Sequence, residues 1–215
     1  MNKKKIILCF FLLFFFSFTF AHQPRLIFEK TNSETNPIII KNPEISQAFY
    51  GELKGNPDFY KISSNTGFLL YAQLTSPDIS GAQKNFSAKI SSKKKLIKLI
   101  DGKNFQRGNF FEKFAGDNYN QGPEFSKNVE SGDYFIQIFN PNNSGKYVLA
   151  IGKIESFPLN ESISTIKILP KLKTDFFQKP AYTAFFNVIG LFLGGSLILL
   201  IFIIWIIYKL IKNII

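Results

Sequence analysis

The sequence has few of the residues that most often carry catalysis or bind transition metals. Among 215 residues there is one cysteine, Cys9, and one histidine, His22. A lone histidine at the edge of the polar region excludes a histidine-dependent serine or cysteine hydrolase, because no such base is left within the fold. Copper and zinc sites need further histidine or cysteine ligands. We therefore expect no metal site and no cofactor.

Acidic residues are also few, with 15 against 26 lysines and arginines, and the formal net charge is +11. Five of the lysines flank the two terminal apolar segments, namely Lys3, Lys4, Lys5, Lys209 and Lys212. The region between these segments keeps the other 21 basic residues against 15 acidic ones, an excess of six. This modest excess does not favour a nucleic-acid partner.

The N-terminal segment has the organisation of a secretory signal peptide. Three lysines precede an apolar run over residues 6–16, and smaller residues return before Ala21. The predicted signal peptide is residues 1–21, with cleavage after Ala21, and an uncleaved anchor is the alternative. Cleavage removes Cys9, so the mature chain can form no disulfide. His22 then becomes a terminal residue, which we expect to make no contact.

The C-terminal segment is predicted to be a transmembrane helix over residues 184–208, because it has no charged residue and exceeds the roughly 20 apolar residues that a span needs. Trp205 and Tyr208 close it, and a short cytoplasmic tail follows at residues 209–215. The expected localisation is the cell membrane, with a single pass and the N-terminal domain outside the cytoplasm. Gly190 and Gly194 have the spacing of packed membrane helices and predict a homodimer.

The region between these segments is predicted to be one mainly β domain over residues 22–157. Short runs rich in β-branched and aromatic residues are separated by Gly, Pro, Asn and Asp, which is typical of a sandwich or barrel. The runs are residues 37–40, 45–53, 59–62, 68–74, 85–90, 96–100, 134–139 and 146–151. The last two flank a loop rich in turn-forming residues, which predicts a β-hairpin.

The same two runs carry a resemblance to a known family. The residues are Ser131-Gly132-Asp133-Tyr134 before one strand, Asn140-Pro141 in the loop, and Ser144-Gly145-Lys146-Tyr147 before the next. This pattern resembles the signature of bacterial pre-peptidase C-terminal domains, and residues 59–62 and 69–74 are similar to the early strands of that family. The resemblance implies a single extracytoplasmic, jelly-roll-like β-sandwich of the accessory kind that stands beside an enzyme, although this chain carries no accompanying catalytic domain.

Residues 158–183 are predicted to form a short helical stalk. Apolar residues recur at helical spacing between residues 163 and 176, and Pro170 predicts a kink or break. Lys167, Lys171, Lys173 and Lys179 form a basic face, which we interpret as a solvated face. Contact with anionic lipid headgroups is the alternative.

The irregular segment over residues 105–125 is the candidate functional loop, because it is aromatic and longer than most strand connections. Its candidate binding residues are Phe110, Phe111, Phe114, Asp117, Tyr119 and Glu124. The alternative is that the aromatic side chains fold inward and cap the end of the sandwich. Oxygen donors in residues 117–122 leave calcium open, but their spacing does not match an EF-hand.

Two functions remain open after this reading. The first is a membrane-anchored extracytoplasmic binding or scaffold module, whose partner is an envelope protein or polysaccharide. The alternative is a cell-envelope enzyme that uses two of Glu112, Asp117 and Glu124 for glycoside hydrolysis, which requires the two carboxylates about 5 to 10 Å apart across a cleft. The single histidine and the short list of acids favour the binding module.

Overall fold

The computed structural model describes residues 22–28, 30–93 and 95–212. The predicted signal peptide and residues 213–215 of the predicted tail lie outside the described residues. The described part of the chain forms strands first and helices after them. The strands are β1 (Gln23–Leu26), β2 (Ile38–Ile40), β3 (Gln47–Lys54), β4 (Asp58–Ser64), β5 (Phe68–Pro77), β6 (Ser87–Ser92), β7 (Lys95–Ile100), β8 (Asn109–Glu112), β9 (Asp117–Val129), β10 (Gly132–Phe139) and β11 (Ser144–Ile151). The helical elements are α1 (Leu159–Lys171), a π-helical turn (Leu172–Phe176), a 3-10 helix (Ala181–Phe185) and α2 (Val188–Lys212).

The strands form two sheets that pack face to face. One sheet has the order β1-β3-β11-β5-β9-β8, and the other has the order β2-β4-β10-β6-β7. Most neighbours are antiparallel, while β1 with β3 and β2 with β4 are parallel. The chain crosses between the sheets after most strands, as in jelly-roll-like sandwiches. The predicted mainly β sandwich is confirmed.

The main core lies between the two sheets, where alternate side chains of each strand point inward. It is rich in Ile and Leu, and it also holds the fully buried Tyr60 and Tyr147. Their hydroxyls lie 2.7 Å apart, and the Tyr147 hydroxyl donates to Asp58 Oδ2 at 2.5 Å. These bonds satisfy polar groups that would be costly to bury alone.

The predicted hairpin of β10 and β11 is wrong, because the two strands belong to different sheets. β10 pairs with β4 and β6, whereas β11 pairs with β3 and β5. The Asn140 side chain shapes the connection, since its Oδ1 accepts hydrogen bonds from the backbone N–H groups of Asn142 and Ser144. The inward residues of the two strands, such as Ile136 and Leu149, therefore face each other across the core instead of lying side by side.

The segment predicted as a stalk is helical, and it packs against the domain instead of standing clear of it. Pro170 lies one residue before the end of α1, and the π-helical turn follows directly. The chain therefore stays helical through Pro170, and the change from α- to π-helical hydrogen bonding comes two residues after it. Leu169, Leu172 and Phe176 are buried against the outer face of the six-stranded sheet.

Helix α2 is long and apolar enough to cross a membrane over Val188–Lys209. Its start is joined closely to the preceding 3-10 helix, because a Cβ on Gly190 would lie 1.6 Å from the backbone oxygen of Phe185. The absence of a side chain at Gly190 is therefore required by a contact within one chain. Gly194 and Gly195 have no atom within 4 Å of such a Cβ. The homodimer stays a prediction. At Gly194 and Gly195 the surface of α2 has room for a second helix to approach closely.

The first described residue is held by the domain. His22 Nδ1 lies 2.5 Å from Ser46 Oγ, and β1 starts at the next residue and pairs with β3. The expectation of a terminal residue without contacts is therefore wrong. The reason is that the parallel pairing of β1 with β3 brings the two segments together, although they are far apart in the sequence.

Candidate functional site

The candidate loop folds as a β-hairpin at the edge of the six-stranded sheet. β8 pairs with β9 so that Glu112 lies opposite Asp117, and residues 113–116 make the turn. Gly116 has φ of +73°, a conformation that glycine adopts without strain. The expectation of an irregular loop is thus wrong. Gly116 lies in the turn of the hairpin, and Gly122 lies at a bulge in β9.

The Glu112 carboxylate organises the turn. Its Oε1 and Oε2 accept hydrogen bonds from the backbone N–H groups of Phe114 and Ala115, both at 2.7 Å. Burial raises the pKa of Glu112, and these two hydrogen bonds oppose that shift. Both oxygens of this candidate acid are therefore engaged in holding the turn.

Asp117 is fully buried between two lysines of the segment that precedes α2. Its Oδ2 accepts from Lys173 Nζ at 2.5 Å, and its Oδ1 accepts from Lys179 Nζ at 2.8 Å. Lys173 also donates to the backbone oxygen of Ala115. We call Asp117, Lys173 and Lys179 the Asp117 cluster. It joins the hairpin to the helical segment that lies between the sandwich and α2.

The expected solvated lysine face is wrong at Lys173, whose side chain is 1% exposed. Burial lowers the pKa of Lys173, and the hydrogen bond to Asp117 opposes the shift. The sequence carries no signal for this pair, because its two members are separated by 56 residues. A run of charged residues is usually solvated, and such a side chain is buried only when the tertiary structure supplies a partner of opposite charge.

Tyr119 is buried beside the same segment. Its hydroxyl lies 3.0 Å from that of Tyr50, and its ring makes an edge contact with Phe177 at 5.3 Å between centroids. Phe176 packs against Tyr50 at 5.1 Å. Burial raises the pKa of Tyr119 and of Tyr50. Tyr119 therefore belongs to a second apolar core, as the alternative of inward-folding aromatic residues requires.

The remaining candidate residues are more accessible. Phe110 and Phe111 are exposed on β8, and Phe114 is half-buried in the turn. Glu124 is exposed on β9 and accepts a hydrogen bond from the Tyr71 hydroxyl at 3.0 Å. The structure thus divides the six candidate residues in two. Asp117 and Tyr119 are buried and hold the hairpin against the helical segment, whereas the other four are at least partly accessible to solvent.

The arrangement of the three acids does not favour glycoside hydrolysis. A retaining or inverting enzyme needs two free carboxyl groups that flank a bound sugar. Glu112 holds a turn with both oxygens, and Asp117 is ion-paired through both of its oxygens. The same contacts occupy the Asp117 oxygens that a calcium ion would need.

One surface that sequence reasoning missed is the outer face of the five-stranded sheet. Side chains from all five strands line up across it in register. We call this row the open sheet face; its residues are Ile39, Lys61, Phe135, Ser91 and Leu96. Ile39 and Leu96 are exposed, as is the neighbouring Leu99. The sequence of β7 carried a signal for this surface. Four of its six residues are apolar, whereas a strand with one buried face needs only three, so at least one apolar side chain must lie on the outer face.

The open sheet face also carries a charged group. Lys61 Nζ lies 5.5 Å from the centroid of the Phe135 ring and forms a 2.8 Å ion pair with Asp133. The outer face of the other sheet is covered by α1 and the π-helical turn. Within the described part of the chain the two faces of the sandwich therefore differ, since helices pack on one of them and not on the other.

These features define a two-sheet β-sandwich with a packed helical segment and an apolar C-terminal helix. No protein-family model matches the chain, and no curated protein matches it. Among solved structures, the chain is similar to the pre-peptidase C-terminal domain of a collagenase from Bacillus anthracis. That similarity has 10% identity and a TM-score of 0.33, and it covers 62% of this chain and 97% of that domain.

A second similar structure is a β-glucosidase from Paenibacillus barengoltzii, with 10% identity and a TM-score of 0.25. It covers 62% of this chain, but only 14% of the glucosidase. The collagenase domain belongs to the family that the residues around β10 and β11 resemble. Neither similarity assigns a substrate or a partner to this chain.

Proposed function

We propose that this chain is a membrane-anchored extracytoplasmic binding or scaffold module that presents its open sheet face to a protein of the cell envelope. The observation that carries the proposal is the asymmetry of the sandwich. The juxtamembrane segment covers one outer face through the Asp117 cluster and the second apolar core. The other outer face is not covered by any of the residues that the structure describes, and it carries exposed aliphatic side chains.

The membrane anchor is α2, and the domain organisation follows from it. The domain boundaries we propose are residues 1–21 as signal peptide, 22–157 as sandwich, 158–183 as juxtamembrane segment, 184–208 as transmembrane helix and 209–215 as cytoplasmic tail. The proposal is supported by the apolar surface of α2 and by the two lysines near its end, Lys209 and Lys212. It is also supported by β1, which begins two residues after the proposed cleavage position.

A protein partner fits the open sheet face better than a sugar does. Ile39, Leu96 and Leu99 are aliphatic and exposed, whereas Phe135 is half-buried beneath Lys61. Sugars are usually bound by stacking on exposed rings, whereas the core of a protein interface buries apolar side chains and leaves charges at its rim. Lys61 and Asp133 would lie at such a rim.

Site-specific photo-crosslinking in intact cells tests this proposal. A photoreactive amino acid replaces Leu96 or Leu99 in the full-length chain, and Asn128, which is exposed on β9 of the other sheet, serves as the matched control. We expect the same protein adduct from positions 96 and 99 and no such adduct from position 128. Adducts of equal yield from all three positions, or adducts that a glycosidase removes, would contradict a protein partner at this face.

A further inference from the structure

Exposed aromatic side chains lie on both of the segments that meet at the start of α2, the β8–β9 hairpin and the 3-10 helix. Phe110 and Phe111 come from β8, where they are 47% and 53% exposed. Tyr182, Phe185 and Phe186 come from the 3-10 helix and its end, and Phe186 is 80% exposed. Tyr182 and Phe186 contact each other with ring centroids 5.8 Å apart. Phenylalanine is mostly buried in soluble domains, so an exposed group of this kind marks an interaction surface.

A hydrogen-bonded junction holds the two segments together. Asn187 Nδ2 donates to the backbone oxygen of Ala115 in the hairpin turn at 3.0 Å, and Asn187 Oδ1 accepts from the backbone N–H of Gly190 in the first turn of α2 at 3.1 Å. Gly116 is packed against the same side chain, since a Cβ there would lie 3.3 Å from Asn187 Cβ. The hairpin turn is therefore fixed to the start of α2.

The length of α2 sets the level of this junction relative to a bilayer. The 22 residues of Val188–Lys209 rise by about 33 Å as an α-helix, which is close to the roughly 30 Å of hydrocarbon in a bilayer. Residues just before Val188 then lie at the boundary with the headgroups. Phe111 is four residues from Ala115, so at most about 15 Å of chain separates it from the residue that contacts Asn187 at this boundary.

The chemistry of the surface fits lipid. Aromatic rings are enriched at the boundary between headgroups and acyl chains. Lys113 is exposed at the tip of the hairpin turn, where an ammonium group can reach anionic headgroups. The 3-10 helix is also continuous in sequence with α2, which lipid surrounds in the proposed arrangement, and the hairpin turn is hydrogen-bonded to the start of α2 through Asn187.

We propose that Phe110, Phe111, Tyr182, Phe185 and Phe186 form an interfacial aromatic patch that rests on the lipid surface of the membrane that α2 crosses. This inference rests on the proposed function, because it requires α2 to span. The patch and α2 together attach the domain at two places. With the Asp117 cluster in place, the sandwich then has one orientation relative to the membrane.

Tryptophan fluorescence in lipid vesicles tests the patch with the full chain. The native Trp205 is first replaced by phenylalanine, and each variant is reconstituted in phosphatidylcholine and phosphatidylglycerol vesicles, with or without lipid brominated near the headgroup. The variants are Phe111→Trp in the patch, Tyr182→Trp next to α2, and Leu99→Trp on the open sheet face as the matched control. We expect brominated lipid to reduce the emission of Phe111→Trp and Tyr182→Trp, and to leave that of Leu99→Trp unchanged.

The other outcomes separate the patch from the anchor. If Tyr182→Trp is quenched while Phe111→Trp emits as strongly as Leu99→Trp, the hairpin does not touch lipid and the inference is overturned, while the anchored module stands. If Tyr182→Trp is not quenched either, no part of the patch touches lipid and the inference is also overturned. The native Trp205 of the unsubstituted chain reports on the anchor: if brominated lipid does not quench it, α2 does not lie in the bilayer, and the proposed function fails with it. Far-UV circular dichroism confirms that each variant is folded before the comparison.

Discussion

At the scale of single residues, the Asp117 cluster is the contact on which the juxtamembrane segment depends most. Asp117 and Lys173 are 0% and 1% exposed, and their ion pair measures 2.5 Å. Removing charges from water is costly, and a buried pair repays that cost only when both partners are present. Loss of one partner leaves the other charge buried without compensation. Loss of both removes that penalty.

We expect Asp117→Asn to lower the free energy of unfolding by about 3–5 kcal/mol, because Lys173 loses its buried counter-ion. The matched control is Glu161→Gln, which removes the partly exposed ion pair of Glu161 with Arg25 at 2.8 Å. That change should cost less than about 1 kcal/mol, since water screens such pairs. Thermal unfolding of the detergent-solubilised chain, followed by circular dichroism, measures both. Equal losses in the two variants would show that the Asp117 pair has no special weight.

At the scale of secondary-structure elements, the β8–β9 hairpin depends on a bulge in β9. Between Gln73 and Thr75 of β5, the single residue Leu74 lies opposite both Gly122 and Pro123 of β9. A bulge is one of the few places where a strand accepts proline, because one N–H is left out of the ladder there. The bulge lets β9 continue from the edge hairpin into the main sheet as one strand.

We expect Gly122→Ala to destabilise the domain by at least about 1 kcal/mol, because its backbone approach leaves no room for a side chain. A Cβ at this position would lie 2.1 Å from the backbone oxygen of Leu74. Gly108→Ala is the control, since its Cβ would meet only Gln121 Oε1 at 3.8 Å. Chemical denaturation of the two variants provides the comparison. A Gly122→Ala variant as stable as Gly108→Ala would exclude the close approach as a constraint.

At the scale of the whole molecule, the first strand and the helical segment that follows the last strand both add to the same sheet. β1 adds to one edge of the six-stranded sheet, and the helical segment after β11 packs on the outer face of that sheet. None of the described helices packs on the outer face of the five-stranded sheet. Among the described residues, one outer face of the sandwich is thus covered by helices, and the other is the face that we propose for a partner.

We expect the sandwich to lie outside the cytoplasm. In a chain whose Cys9 is replaced by serine, Asn65→Cys places a thiol in the exposed turn between β4 and β5, and Lys212→Cys places one at the far end of α2. A membrane-impermeant maleimide added to intact spheroplasts should label the first variant at once and the second only after permeabilisation. The reverse pattern would invert the proposed topology. Labelling of both variants in intact spheroplasts would show that α2 does not span.

Local patterns predicted most of the elements, because strand and helix periods are properties of short segments. The runs at residues 68–74 and 134–139 correspond to β5 and β10, and the helical spacing before Pro170 corresponds to α1. The pairing of β10 and β11 could not be read in this way. A strand of either sheet has the same alternation, so the period reports which residues face the core and not which strand is the neighbour.

The candidate site was predicted less well, and the reason is physical. Residues 105–125 were singled out by their aromatic content, yet they contain both the buried Tyr119 and the exposed Phe111. Aromatic side chains serve cores and interfaces alike. Only the packing of the juxtamembrane segment against β9 separates the two uses.

The sequence by itself determined the class of the protein: a β-rich domain between two apolar segments, with one cysteine and one histidine. Composition and short-range periodicity suffice for that, because they set burial and hydrogen bonding locally. The tertiary structure alone decided that Lys173 is buried with Asp117, that β10 and β11 lie in different sheets, and that one face of the sandwich is open. These are contacts between distant segments, and they depend on how complete surfaces fit together.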